Sequence, residues 1–397
     1  MGKKPKKGSV LVVAMAMLVI LLVIGMGLLF MSQIYLTFTQ GQINKIIART
    51  TADAGLTKAL YQMNEKLKDK PWNDAALPSA DEVSLPDCPG VYSYAIEPGA
   101  ISGRYLVTAT GVCNGKNVTV VCTLKLTGIF GKGIVVVKDL YFKNNGIIKG
   151  YNSQDSEAVL FGLDMGTLSI EENDITLENN TLVEGNVFVG FGGDPDTVIT
   201  GSGTIEGMTY ALDPTITLWD EVAPTLTDKG SLEVSTNTTL TAADSGSYDS
   251  LTINNNKKLT INGDVVLHIT GDIEANNNTE IKVNPNSSLK IYAGGDIMIK
   301  NTGEINNITG VPNNVWLYGI NPGSQTFEFW NKNDFFGVIY APNADVEFKN
   351  SLEMYGVVIA NSFTVQNNTE FNYDNALDKP AFNENCISFR ITGWYEQ

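Results

Sequence analysis

The sequence is poor in basic side chains and in histidine. Its 397 residues include 27 lysines and arginines against 43 acidic residues, one histidine, and a formal net charge of −16. A nucleic-acid-binding protein needs basic surface to neutralise phosphates, so we expect no nucleic-acid partner for the bulk of the chain. Metal sites with two or more histidine ligands are excluded, and a histidine-dependent triad would have to use His268.

The few basic residues are unevenly placed at the N terminus. Residues 1–8 carry four lysines and no acidic residue, and 23 uncharged residues follow from Ser9 to Met31. A helix of this length measures about 35 Å and crosses the hydrocarbon core of a bilayer. The basic flank predicts a cytoplasmic N terminus with the acidic remainder outside. The apolar run is longer than that of a secretory signal peptide, so we predict a transmembrane segment over 9–31.

The helical pattern continues beyond the apolar run. Apolar residues recur mostly at spacings of three and four up to Leu67, and no proline follows Ser9 before Pro71. The pattern predicts one helix over 9–68, about 90 Å long. Such a helix needs its apolar stripe covered where it leaves the membrane. The stripe must therefore pack against the protein's own globular domain or against other subunits.

The remainder of the sequence predicts β structure. Residues 69–90 contain four prolines and are predicted to form a linker, and residues 91–132 have β-rich segments around an Asn114-Gly115 turn signal, which predict a small antiparallel unit. From 133 to 377, short Val/Ile/Leu strands alternate with Asn- and Gly-rich corners. Residues 378–397 are predicted to cap the strand edges at the end of this region.

The region 133–377 has the period of a coiled β structure. Asn255 precedes Asn277 by 22 residues, and Asn350 precedes Asn368 by 18. This interval predicts a parallel β-helix, or solenoid. Asparagine suits its corners because it tolerates the left-handed backbone region and because stacked asparagines hydrogen-bond from coil to coil. The expected fold class is mainly β with one long N-terminal α-helix.

Two segments resemble type IV pilin-like proteins. Lys6-Lys7-Gly8 followed by Ser9-Val10-Leu11-Val12-Val13-Ala14 resembles the PilX-type N-terminal segment of minor pilins, in which a prepilin peptidase cuts after the glycine. Ala52-Asp53-Ala54-Gly55-Leu56 resembles the Ala-Glu-Ala-Gly-like motif in the mature helix of that family. The resemblance implies cleavage between Gly8 and Ser9, and a helix that packs against other pilin-like subunits.

The sequence departs from major pilins at two positions. The first mature residue would be Ser9 rather than phenylalanine, and Val13 stands at the fifth mature position, where major pilins carry glutamate. That glutamate is thought to pair with the N-terminal amine of a neighbouring subunit, which offsets an unpaired charge in lipid. The resemblance therefore implies a minor, tip-proximal pilin rather than a shaft subunit.

A second resemblance covers about residues 250–377. The order and spacing of 336–344, 355–361 and 373–377 resemble an uncharacterised β-solenoid domain that is often found behind PilX-type N termini. This resemblance implies a fold and a context, and no activity.

Parallel β-helices also include polysaccharide lyases and hydrolases, so catalysis needs consideration. The solenoid region contains no arginine, and acidic residues such as Asp164 and Glu178 form many pairs of which none is preferred. Asp194 and Asp196 are weak candidates for calcium ligands, because their segment lacks the spacing of a known calcium loop. Trp219 and Trp316 belong to a set of aromatic residues for which core packing is favoured over sugar stacking. We predict no enzymatic activity, no cofactor and no metal.

The four cysteines, Cys88, Cys113, Cys122 and Cys386, all lie beyond the membrane segment. Their even number is compatible with two disulfides, for which three connectivities exist. The short separation of Cys113 and Cys122 favours that pairing, and unpaired thiols are the alternative.

Together these features predict a minor type IV pilin-like subunit with a structural role in pilus or pseudopilus assembly. We expect it in the bacterial inner membrane with its ectodomain outside the cytoplasm, and at the cell surface or in a pilus after assembly. Its expected partners are other pilin-like subunits through the helix, the prepilin peptidase and the inner membrane. The alternative is a membrane-anchored β-solenoid adhesin, or polysaccharide-binding surface protein, whose partner is a surface glycan.

Overall fold

A computed structural model describes residues 9–69, 71–101, 103–154, 163–213, 215–330, 334–378 and 387–396. The chain forms two compact units. Unit 1 consists of the chain up to Leu126 together with 388–397, and unit 2 consists of Thr127–Ile387. The expected fold class is confirmed, because the chain is mainly β with one long N-terminal helix, a small antiparallel sheet and a large parallel solenoid.

The helices are α1 (Ser9–Lys66) and the short α2 (Pro195–Val198). The strands, in chain order, are β1 Ala80–Ser84, β2 Val91–Pro98, β3 Arg104–Cys113, β4 Lys116–Gly128, β5 Ile134–Val136, β6 Leu140–Phe142, β7 Ile147–Tyr151, β8 Asp164–Thr167, β9 Ile175–Leu177, β10 Leu182–Val183, β11 Asn186–Val189, β12 Ile199–Gly201, β13 Thr204–Ile205, β14 Thr209–Ala211, β15 Leu232–Val234, β16 Thr238–Thr241, β17 Gly246–Tyr248, β18 Leu251–Ile253, β19 Lys258–Asn262, β20 Asp264–Ile269, β21 Ile273–Ala275, β22 Glu280–Val283, β23 Ser288–Ala293, β24 Ile297–Ile299, β25 Glu304–Asn307, β26 Val315–Gly319, β27 Gln325–Phe329, β28 Phe335–Phe348, β29 Glu353–Val365, β30 Glu370–Asp374 and β31 Ile387–Glu396.

Unit 1 is a five-stranded sheet packed on the C-terminal part of α1. Its strand order is β1-β2-β3-β4-β31, and the successive pairs from β1 to β4 are antiparallel. The β3–β4 hairpin turns at Asn114-Gly115, both at positive φ, as the turn signal predicts. α1 ends two residues before the expected limit, where the backbone N–H of Lys68 bonds to Glu65 in a tighter turn.

The C-terminal strand corrects the expectation of a solenoid cap over 378–397. Residues 387–396 form β31, which lies beside β4 in the sheet of unit 1. The Phe389 ring is buried, with centroids 5.7 Å from Trp72 and 5.2 Å from Tyr105, and its backbone N–H donates to Asn64 of α1 at 2.6 Å. Unit 2 is therefore an insertion in the chain between the fourth and fifth strands of this sheet.

Unit 2 is a solenoid of parallel strands stacked in register. One inward row runs through it from coil to coil: Leu251, Ile273, Ile297, Phe327, Val346, Phe363, Leu140 and Ile175. All of these side chains are buried. Because strand side chains alternate between faces, the apolar residue of each short strand points inward, and stacking joins these residues into one core.

The coils are not stacked in chain order. Residues 232–374 form successive coils, and the last of them, β29 and β30, pairs with β5, β6 and β7 from the start of the unit. The strands from β8 to β14 stack beyond these. The connection between β14 and β15 returns along the outside, where Trp219 N–H and C=O bond to the Tyr340 hydroxyl at 3.1 and 2.7 Å.

Asparagine forms the corners of the solenoid, as the sequence predicts. Asn256 and Asn278 have φ of 60° and 56°, in the left-handed region. Nδ2 of Asn278 donates to Oδ1 of Asn256 at 2.8 Å, and Nδ2 of Asn301 donates to Oδ1 of Asn277 at 3.2 Å. The prediction of asparagine hydrogen bonds from coil to coil is confirmed.

Candidate assembly surface

The helix α1 has two halves with different surroundings. No charged residue occurs from Ser9 to Asn44. Every side chain from Leu11 to Ile43 is exposed, and an 18-residue window has a mean hydropathy of 3.0 with none of it buried. This is the one helix in the described residues long and apolar enough to cross a membrane, a test that signal sequences also pass. We call residues 11–43 the uncovered half and 44–66 the covered half.

The covered half packs on β2 and β3 through small residues. Its buried positions follow spacings of three and four, and they are Asn44, Ala48, Thr51, Ala52, Gly55, Leu56, Ala59 and Met63. A Cβ added to Gly111 of β3 would lie 1.9 Å from the Ala48 carbonyl oxygen and 2.5 Å from the Ala52 nitrogen. The helix backbone therefore lies directly against the β3 backbone, which only small residues permit.

The motif at 52–56 lies in this contact. Ala52, Gly55 and Leu56 are buried, Ala54 is half-buried, and Asp53 is exposed on the opposite face. A Cβ on Gly55 would meet the Tyr92 ring at 3.2 Å and the Ala109 Cβ at 3.4 Å. In this structure the motif packs the helix against its own sheet, and the exposed Asp53 is the part of it that is free to face solvent.

The proposed processing site is only partly described. Gly8 and the basic residues before it lie outside the described residues. Ser9 is the first residue of α1, and its side chain is likewise not described. The structure therefore adds no geometry at the expected Gly8–Ser9 bond.

The favoured disulfide between Cys113 and Cys122 is wrong. Cys88, Cys113 and Cys122 are free thiols, and Cys386 lies outside the described residues. The β3–β4 register places Cys113 opposite Lys116 and Cys122 opposite Val107. The thiol-bearing residues are thus separated by about 20 Å along the hairpin, well beyond the reach of a disulfide. Burial raises the pKa of the Cys122 thiol to about 11, which makes it unreactive at neutral pH.

The weak calcium candidates have a local structural role. Asp194 is the N-cap of α2, and its carboxylate accepts the backbone N–H of Asp196 at 3.1 Å. Among the described residues, no group of three or more His, Cys, Asp or Glu side chains lies close enough to hold a metal ion. Asp194 is therefore accounted for as a capping residue.

The other candidate residues are dispersed over unit 2. His268 Nδ1 lies 3.2 Å from the Ser247 hydroxyl of the adjacent coil. Phe327 and Phe329 point into the core, whereas Trp316 and Tyr318 stack on the outside with centroids 5.6 Å apart. The aromatic set therefore divides between core and surface, and it does not form one sugar-stacking patch.

The outer face of the solenoid carries a mostly polar row with four glutamates, which the sequence did not show. The register aligns Glu233, Thr252, Glu274, Met298, Glu328, Glu347, Thr364, Tyr141, Thr176 and Thr200. Lys349 Nζ lies 3.0 Å from Glu328 and 3.4 Å from Glu347, so it neutralises part of the row. Most neighbours are 17 to 35 residues apart in sequence, and Thr364 and Tyr141 are 223 apart, so only the stacking register brings them together.

A smaller group of carboxylates lies at a neighbouring corner. Burial, and then the charges of Asp174 and Asp345, raise the pKa of Asp139. Asp345 is itself held by Asn361 Nδ2 at 2.8 Å and Ser362 Oγ at 2.7 Å. The Asp345 carboxylate is therefore held by local hydrogen bonds, and its charge adds to the burial that opposes ionisation of Asp139.

Comparison with known proteins identifies one family model. Residues 220–379 match a family described as Domain of unknown function (DUF7305). The match contains the coils from β15 to β30. Among curated proteins, none matches the chain.

Three solved structures superpose on the chain at low similarity. They are the competence-associated pilin ComZ from Thermus thermophilus (13% identity, 89% of this chain and 97% of that one, TM-score 0.28), the DUF3494 domain of ice-binding protein 1 from Shewanella frigidimarina (13%, 62% and 95%, 0.32) and an ice-binding protein from Antarctomyces psychrotrophicus (15%, 60% and 93%, 0.25). At these TM-scores, the superpositions carry no conclusion about this chain.

Proposed function

We propose that this chain is a minor type IV pilin-like subunit with a structural role in assembling a pilus or pseudopilus. Its helix anchors it in the bacterial inner membrane and then packs among the helices of other pilin-like subunits. The observation that carries the proposal is the length of the uncovered half of α1. A simple anchor needs only the residues that cross the bilayer.

The uncovered half exceeds what a membrane accounts for. The apolar run to Met31 already spans the hydrocarbon core, and residues 32–43 add about 18 Å of helix. This extension exposes Ile34, Leu36 and Phe38, at 53%, 68% and 64%. Apolar side chains on a lone helix in water are unfavourable, and helices of neighbouring subunits would cover them.

The sequence at the N terminus supports the same function. The basic segment ending at Gly8 resembles a prepilin leader, so the prepilin peptidase is the expected processing enzyme. Val13, without the charge that major pilins carry there, supports a minor, tip-proximal position. The solenoid would then project outside the cytoplasm, at the cell surface after assembly. A structural rather than catalytic role is supported by the Asp194 carboxylate, which caps α2.

The first test is N-terminal mass spectrometry of the chain expressed with and without a prepilin peptidase. We expect a chain beginning at Ser9 only when the peptidase is present, and Gly8→Leu should abolish this product. Gly25→Leu is the matched control, because Gly25 has nothing within 4 Å in the helix, and it should be processed normally. A wild-type chain that keeps residues 3–8 in both strains would overturn the pilin assignment.

The second test distinguishes assembly from simple anchoring. A photo-crosslinking amino acid at Phe38 should capture other pilin-like subunits in cells that assemble filaments. The same probe at Lys58, exposed on the covered half, is the control and should capture far less. Equal yields at both positions would favour the alternative of an anchored adhesin, for which glycan binding to the solenoid is the next measurement.

A further inference from the structure

A lysine, an aspartate and an asparagine meet at one end of the solenoid. Asp164 begins β8 and pairs in register with Asn186 at the start of β11, and Lys132 lies two residues before β5, one residue before the position level with Asp164. Lys132 Nζ donates to Asp164 Oδ2 at 2.9 Å, and Asn186 Nδ2 donates to Asp164 Oδ1 at 3.0 Å. One carboxylate therefore holds an amine and a carboxamide next to each other.

The amine of this cluster lies against an aromatic ring and is shielded from water. The Lys132 side chain is 9% exposed, and its Nζ lies 4.6 Å from the centroid of the buried Phe188 ring. The Tyr210 hydroxyl donates to Asp164 Oδ2 at 2.9 Å. Burial opposes ionisation of Asp164, but Lys132, Asn186 and Tyr210 lower its pKa below the usual range. Asp164 is therefore a carboxylate that can accept a proton from the Lys132 ammonium, and the neutral amine beside a carboxylic acid is a minor state.

The hydrogen bonds of the Asn186 carboxamide favour nucleophilic addition to its Cγ. Asn186 Oδ1 accepts the backbone N–H of Met208 at 2.9 Å, while its Nδ2 is bonded to Asp164. A donor on the carbonyl oxygen stabilises the negative charge that develops when a nucleophile adds to Cγ. The leaving nitrogen already bonds to the group that would protonate it.

We propose that Lys132 and Asn186 condense into an amide cross-link between their side chains, with Asp164 as the acid–base group. Asp164 takes a proton from the Lys132 ammonium, and neutral Nζ adds to Cγ of Asn186. The Nζ–Cγ bond forms, the Cγ–Nδ2 bond breaks, and Asp164 transfers protons from Nζ to Nδ2. Nδ2 leaves as ammonia, or as ammonium if it carries away the third lysine proton. No oxidant, reductant or further reactant is needed.

The product would join the coils of β5 and β11 across the intervening coil of β8. A covalent link between distant residues reduces the conformational freedom of the unfolded chain, as a disulfide does. The coils from β5 to β14 would then resist separation from one another. This outcome is independent of the assembly function proposed above.

The chain contains an exposed set of the same groups, which serves as a control. Lys300 Nζ lies 3.3 Å from Glu274 Oε2 and 3.4 Å from Asn276 Oδ1. The Lys300 and Glu274 side chains are 33% and 46% exposed. Water stabilises the ammonium there, so its nitrogen has no free electron pair and no cross-link is expected.

The test is intact mass spectrometry of the full chain purified in detergent, followed by peptide sequencing. We expect the wild type to lack about 17 Da, the mass of one ammonia, relative to the sequence from its observed N terminus. A branched peptide should join Lys132 to Asn186. Lys132→Arg should keep the full mass, whereas Lys300→Arg should show the same loss as the wild type.

Two results would overturn the cross-link. One is a wild-type chain of full mass. The other is a loss of about 17 Da that maps to a succinimide at an Asn-Gly step, which has the same mass and no branch. These steps are Asn114-Gly115, Asn145-Gly146 and Asn262-Gly263. The wild-type branched peptide decides the question by itself, even where Lys132→Arg fails to fold.

Discussion

Unit 1 packs a helix backbone against a strand backbone, whereas the core of unit 2 is filled by stacked side chains. The covered half of α1 approaches β3 so closely that Gly111 has no room for a Cβ against Ala48 and Ala52. In unit 2 the Phe363 ring lies 5.1 Å from Phe348 and 5.9 Å from Phe142, centroid to centroid. The helix–sheet contact therefore depends on the absence of side-chain atoms, and the solenoid core depends on their presence.

The largest expected effect is in the solenoid core. Phe363→Ala removes the ring between the coils of β28 and β6, and we expect about 3–5 kcal/mol lower stability of unit 2. Thr364→Ala, at the next, outward position of the same strand, should change stability by less than about 0.5 kcal/mol. Hydrogen-exchange mass spectrometry of the β29 peptides measures both. Similar protection in the two variants would contradict a continuous core through this row.

The second effect tests the backbone contact of unit 1. Gly111→Ala forces the helix away from β3, with an expected cost of about 1–3 kcal/mol. Gly41 lies in α1, where an added Cβ would have no atom within 4 Å. Gly41→Ala should therefore raise helix stability by about 0.5–1 kcal/mol. Thermal unfolding followed by the helical circular dichroism signal measures both changes. Stability changes of opposite sign would support a backbone contact between α1 and β3. An unchanged stability of Gly111→Ala would contradict it.

The third effect concerns the asparagine corners. Asn278→Ala loses the hydrogen bond to Asn256. It also places alanine, which tolerates positive φ less well than asparagine, in the left-handed region, and the two effects together should cost about 2 kcal/mol. Asn278→Gly keeps the conformation and loses the hydrogen bond, so we expect about 1 kcal/mol. Urea denaturation of both variants separates the two contributions. Equal losses would mean that the left-handed conformation contributes nothing.

The smallest effect is electrostatic and depends on pH. Partial burial opposes ionisation of Glu328, but hydrogen bonds from Lys349 (3.0 Å) and Trp330 Nε1 (2.9 Å) lower its pKa. A carboxyl with a lowered pKa contributes stability above its unfolded value of about 4.3 and loses it as the pH falls through the folded value. We expect a contribution of about 0.5 kcal/mol.

Glu328→Gln should remove this acid dependence. The urea concentration at the unfolding midpoint of the wild type should decrease as the pH is lowered below about 4.3. For Glu328→Gln the decrease should be smaller. Glu172→Gln, at an exposed site, is the control and should follow the wild type. Identical slopes for all three proteins would show that the Lys349–Glu328 pair contributes nothing measurable.

The comparison also explains which features were visible in the sequence. The long helix, the β-rich remainder and the asparagine corners are local patterns of spacing and residue type, and the fold class follows from them. The pairing of Cys113 with Cys122 failed because sequence proximity does not give hairpin register. The end of the chain was assigned to the wrong unit, because a single strand such as β31 carries no sign of its partner.

Sequence by itself determined a helix too long and too apolar to remain uncovered, and a repeat whose strands bury one face. Both follow from side-chain periodicity, which acts over a few residues. Tertiary structure alone decided that the coil of β29 pairs with β5 and β6, that α1 is covered only from Asn44 onward, and that Lys132, Asp164 and Asn186 meet. These contacts join residues far apart in the chain, and their geometry is set by register and packing rather than by local preference.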